Sequence, residues 1–108
     1  MAREITERAV AAFMAGRNFS QSNTEVQARN DGLVTMRLFG NTIATRVQSR
    51  GYRCVMLSAA GWETSTTRER LNGILDALNM PRVYTKNHVL HDWHGRPWTD
   101  SDVLCCVI

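Results

Sequence analysis

The sequence predicts an α+β domain with an N-terminal helix, a four-stranded antiparallel meander, one amphipathic helix packed on the sheet and a C-terminal hairpin. Three observations predict it. Apolar residues recur with the helical period of about 3.6 in two stretches, Arg3 to Ala15 and Thr67 to Asn79. Between them the period falls to two across four short runs, separated by Asn30-Asp31-Gly32, Phe39-Gly40-Asn41 and Ser49-Arg50-Gly51, which is the turn chemistry of consecutive hairpins. The chain has 108 residues, 44% of them hydrophobic and 21% charged, a size and balance suited to one core, so residues 1–108 read as a single domain.

Each element has its own justification. In the first helix Ile5, Ala9, Ala12 and Phe13 share a face, and Gly16 stands where the helix should end. Asn18 to Asn23 reads as a polar linker with Phe19 as its anchor. In the strands, Val26 and Ala28, then Val34, Met36 and Leu38, then Ile43 and Val47, then Val55, Leu57 and Ala59 are expected to point inward. Thr66 and Glu69 have capping-box spacing, which starts the second helix near Thr67. Leu71, Ile74, Leu75 and Leu78 then form its buried face, and Met80-Pro81 stops it. The late hairpin is expected to run from His88 to Trp93, turn at His94-Gly95 and return through Arg96-Pro97-Trp98. The apolar terminus Val103 to Ile108 is expected to be tied down against the core as an edge strand.

The formal charge is +3, from 13 basic and 10 acidic residues, and every base except Lys86 is arginine. Such a skew suits phosphate or carboxylate recognition, and it is also what a GC-rich genome would produce. The arginines are dispersed, so there is no polybasic arm. No apolar run approaches the roughly 18 residues of a membrane span, and the N-terminus has no signal core, so a cytoplasmic protein is expected. Cys54, Cys105 and Cys106 make an odd number in such a chain and do not read as a disulfide framework.

No catalytic residue, metal site or cofactor emerges, and the chain does not read as an enzyme. His88, His91 and His94 would gather on one side of a helix, but Val89-Leu90 and the nearby Gly95 and Pro97 favour a strand and turn. Cys105-Cys106-Val107-Ile108 has the form of a prenylation box, yet Asp100 and Asp102 upstream and the apolar Val103-Leu104 favour a packed terminus. The serines and threonines from Thr64 to Thr67 are explained by capping.

Two surfaces remain as candidates for binding. Strand alternation places Thr35, Arg37, Thr42, Arg46, Tyr52 and Met56 on the sheet face away from the helices. That face is either solvated or a platform for an acidic partner or a nucleic acid. Trp62 reads as a core anchor, whereas Trp93 and Trp98 flank the late turn and are candidates for an interface. The candidate partner-binding residues are therefore Arg37, Arg46, Tyr52, Trp93, Arg96 and Trp98.

A resemblance adds to this reading. Gly40-Asn41-Thr42-Ile43-Ala44 on a hairpin, Gly61-Trp62 with Thr64, Thr66 and Thr67 before a helix, and the late Gly95-Arg96-Pro97-Trp98 turn resemble a family of small proteins of tailed bacteriophages. The resemblance covers most of the chain, and its motifs are structural. It implies a small gene product acting in the infected bacterium by binding. The expected partner is a host protein or ribonucleoprotein, with the protein serving as a host-takeover or anti-defence inhibitor, for example of a CRISPR effector. The alternative is a nucleic-acid-binding accessory protein using the arginine-bearing sheet face. Net positive charge argues against DNA mimicry.

Overall fold

The computed structural model describes residues 2–49, 52–61, 64–98 and 103–107. The elements run α1 (Ala2–Ala15), β1 (Phe19–Gln21), β2 (Thr24–Ala28), β3 (Leu33–Leu38), β4 (Asn41–Ser49), β5 (Tyr52–Leu57), α2 (Ser65–Ala77), β6 (Tyr84–Lys86), β7 (Val89–His91) and β8 (Val103–Val107). A six-stranded antiparallel sheet has the order β1-β2-β3-β4-β5-β8, and β6 and β7 form a separate hairpin. Both helices and the hairpin contribute to the core on one face of the large sheet.

The expected meander is present as β2 to β5, and it is extended at both edges. The residues expected to form a linker include β1, where Phe19 faces Val26 and Gln21 faces Thr24 in register. Asn18 secures this edge by accepting the Ala28 N–H on its Oδ1 at 2.8 Å. Three residues are too few to display a period, which is why this strand is silent in the sequence. The opposite edge is β8, whose Cys105 pairs in register with Cys54, as expected of a terminus tied to the sheet.

Helix α1 buries Ala9, Ala12 and Phe13. It ends at Gly16, whose φ of +70° lets the Arg17 N–H return to the Ala12 carbonyl at 2.9 Å, a Schellman closure. Helix α2 begins earlier than Thr66 and Glu69 suggest. Thr64 is the N-cap, accepting the Thr67 N–H on its hydroxyl at 3.2 Å. Glu69 turns to the Arg70 guanidinium at 3.1 Å in place of the expected cap. With this start Thr67, Arg70, Leu71, Ile74 and Leu75 all fall on the buried face. Asn79, at φ +57°, ends the helix as the Met80 N–H bonds the Leu75 carbonyl at 2.9 Å, with Leu78 half-buried beside the core. The two helices meet at Gly73, where a Cβ would stand 2.6 Å from Thr6 Cγ2.

One register shift decides which side chains face outward. Met36 pairs with Ala44, but Arg37 pairs with Thr42, so Ile43 is an extra residue on β4, a β-bulge. The phase of alternation changes there: Ile43 and Ala44 are both buried. Downstream, Arg46 turns to the helix side opposite Val34 and Val55, and Val47 takes the outer side opposite Leu33 and Cys54. Strict alternation predicts the reverse for Arg46 and Val47.

Among the described residues the largest fully buried side chain is an arginine. Arg70 reaches from α2 to Thr24 on β2 at 3.1 Å and to the Thr6 hydroxyl on α1, and it also approaches Asn23 and Glu69. Burial lowers its pKa and the adjoining Glu69 carboxylate opposes the shift. This network joins both helices to the sheet, and a half-satisfied version of it would be costly.

Candidate binding surfaces

The β3–β4 hairpin closes with two residues, Phe39 and Gly40, between the paired Leu38 and Asn41. Both have positive φ, +51° and +79°, the pattern of a type I′ turn. Glycine takes that conformation freely, while a phenylalanine in the left-handed region carries a steric cost of about 1–2 kcal/mol. The backbone is held regardless. The Phe39 N–H donates to the Asn23 carbonyl at 2.8 Å, and Asn23 is in turn approached by Arg70. Phe39 is 73% exposed, forgoing most of the roughly 1.5–3 kcal/mol that burial of its ring would contribute. Its ring borders an open pocket of about 410 Å³ whose lining includes the apolar Leu38, Ile43, Ala59 and Ala60, with Thr64 and Thr67 of the α2 start also lining it. In the sequence Phe39 stands only as part of a turn, and the structure makes it a surface feature. Its signal was available: a large apolar residue at a turn position that favours Asn, Asp or Gly.

The second surface is the β6–β7 hairpin with the loop behind it. Its turn is Asn87-His88, again two residues at positive φ, +52° and +65°, so the pairing begins earlier than expected and His88 occupies a turn. Thr85 faces Leu90 on the inner side, where Leu90 is buried. Tyr84 faces His91, and Lys86 faces Val89, on the outer side. The Tyr84 and His91 rings stack with centroids 5.4 Å apart and planes within 10°. His91 Nδ1 lies 2.8 Å from the Val89 carbonyl oxygen, which fixes the imidazole. Val83 and α2 are joined through Asn72, whose side chain accepts the Val83 N–H at 2.8 Å and donates to its carbonyl at 3.0 Å.

The loop after β7 is built on Asp92. Its Oδ1 accepts the His94 N–H at 2.9 Å and the Arg96 N–H at 3.0 Å, while the backbones of Asp92 and Arg96 are bonded at 2.8 Å. Desolvation pushes the carboxyl's pKa up, but the two N–H groups and the Arg96 and His94 charges prevail and hold it below the usual carboxylate value. Arg96 itself extends into solvent with its Nε 3.4 Å from Asp92 Oδ2.

The sequence candidates divide accordingly. Arg37 lies on the outer sheet face, half-buried, and its Nε meets no hydrogen-bond partner among the described residues. Arg46 is corrected: it is buried beneath the end of α1, its guanidinium 3.2 Å from where a Cβ on Gly16 would stand. There it faces the negative end of the helix dipole. Trp98 is corrected too. It is buried in the core, with its N–H bonded to the Leu90 carbonyl at 2.8 Å. Trp93 is half-buried against that core, and Arg96 is exposed. Tyr52 is described by its backbone, which pairs with Ser49 and Val107. Trp62 lies outside the described residues.

Residues 2–104 match the family model described as Kyanoviridae Gp96 protein. The chain belongs to that family. It is a phage protein family, in agreement with the resemblance read from the sequence. No curated protein and no solved structure matches the chain. Among the described residues, no helix is long and apolar enough to cross a membrane.

Proposed function

We propose that the protein is a small, non-catalytic binding protein that acts in the host bacterial cytoplasm on a host protein or ribonucleoprotein. Its role is that of a host-takeover or anti-defence inhibitor, of which a block on a CRISPR effector is one form. The observation that carries this reading is Phe39: an exposed aromatic, in a conformation its side chain disfavours, beside an apolar pocket. Local rules are broken in this way where a surface serves something other than the fold. Aromatic anchors beside apolar recesses are also the usual seat of interface energy.

Other features support a binding role. The polar groups that invite a chemical reading have structural employment: the Thr64 hydroxyl caps α2 by accepting the Thr67 N–H and pairs with the Thr67 hydroxyl, Arg70 joins the two helices to the sheet, and Asp92 organises a loop. On the sheet face that the nucleic-acid alternative uses, Arg37 remains while Arg46 is turned to the helix side.

The test is affinity capture from bacterial lysate with tagged wild-type protein and a Phe39→Asp variant. Recovery of one stoichiometric host complex by the wild type, lost in the variant, is the expected result. Capture by both proteins alike, or by neither, would contradict the reading.

A further inference from the structure

We propose that the outer face of the β6–β7 hairpin binds single-stranded nucleic acid, with a base stacking on the Tyr84–His91 pair and backbone phosphates meeting Lys86 and Arg96. This assigns a second ligand class to a different hairpin from the one that carries Phe39.

The geometry is that of a prepared stacking surface. Tyr84 is 42% exposed and lies parallel to His91 across the two strands. The imidazole orientation is set by the Val89 carbonyl, and the loop runs close to the phenol, since a Cβ on Gly95 would stand 3.5 Å from Tyr84 Oη. Pro97 pairs with His91 on the far side and widens the same face. A flat ring pair held in this way can be continued by any base, because every base has a π-face.

The charges around the pair select an anion. Residues 80–98 carry Arg82, Lys86 and Arg96 against one acid, Asp92. Asp92 is 4% exposed and turned into its own loop, while Arg82 is engaged by Asp76 at 2.7 Å. Lys86 forms no ion pair among the described residues, and it projects from the same face as Tyr84. Arg96 is anchored beside the hairpin by Asp92 with its outer nitrogens free to reach a phosphate. Duplexes hide the faces of their bases, whereas single strands offer faces and phosphates together.

Fluorescence anisotropy with a short mixed-sequence oligonucleotide, in RNA, DNA and duplex forms, tests the proposal. The full chain should bind single strands in preference to duplex at low salt. Tyr84→Ala should weaken binding about ten-fold or more and Tyr84→Phe should retain it. Lys86→Gln should lower the slope of log affinity against log salt by about 0.7. Phe39→Asn should leave oligonucleotide binding unchanged, which separates this proposal from the protein-binding reading. Circular dichroism establishes that the variants are folded. The proposal is overturned by no anisotropy change with either single strand, by equal binding to duplex, or by a folded Tyr84→Ala or Lys86→Gln protein that behaves as wild type. Loss of a captured host protein in Tyr84→Ala, without oligonucleotide binding by the parent, would also overturn it and give this face to a protein.

Discussion

The β3–β4 and β6–β7 hairpins have tips of one geometry and opposite chemistry. Each is a two-residue turn with both φ values positive: Phe39-Gly40 in one and Asn87-His88 in the other. Asn87 suits its position, because a short amide side chain tolerates the left-handed region. Phe39 does not, and it also leaves an aromatic ring in water. The first residue of the β6–β7 tip is chosen for the fold, so the difference isolates what Phe39 adds: an apolar group displayed at a local cost.

The comparison can be broken at the base of the Phe39 tip, where the effect should be largest. Arg70 bonds Thr24 and approaches Asn23, whose carbonyl takes the Phe39 N–H. Arg70→Ala leaves a cavity and stranded hydroxyls, and it should cost about 3–5 kcal/mol in urea unfolding. Exchanging the tip residues gives the next effects. Asn87→Phe should destabilise by about 1–2 kcal/mol, seen as a lower urea midpoint with an unchanged slope. Phe39→Asn should stabilise by about 1 kcal/mol, which for a domain of this size raises the melting midpoint by about 4–8 °C.

The smallest effect is a matter of pH. The Asp92 carboxyl has a folded pKa below its unfolded one, so its contribution is present above the unfolded value near pH 4 and is lost as pH falls through the folded value. Asp92→Asn should therefore flatten the acid limb of the stability curve below about pH 4 and leave its shape at neutral pH alone. Asp76, lowered by its hydrogen bond to Arg82, contributes in the same window and remains in that variant.

Much of this fold is legible in the sequence because periodicity reports burial wherever the elements are long enough. Val34, Met36 and Leu38, or Leu71, Ile74 and Leu75, announce their faces without ambiguity. Legibility fails where one residue changes the phase. The bulge at Ile43 sends Arg46 inward and Val47 outward, and no local residue type marks it, since it depends on the pairing of two strands. It fails again at the cap of α2, where Thr64, Ser65, Thr66 and Thr67 all offer hydroxyls and tertiary burial of Thr67 decides among them. Trp98 is an interface candidate in the sequence because a tryptophan beside Gly95 and Pro97 suits a surface as well as a core. Packing against Leu90 and the core settles it as buried. The candidate surfaces are legible in composition but not in place: the aromatic and basic residues are present, yet Tyr84, Lys86 and His91 gather only through the hairpin register.

The most direct test of the central claim, that Phe39 serves a partner and not the fold, is a paired measurement on Phe39→Asn: its melting midpoint and its capture of host complexes from lysate, beside the wild type. The expected result is a higher midpoint together with loss of the captured complex. A lower midpoint, or a complex recovered in the same yield as with the wild type, would contradict it.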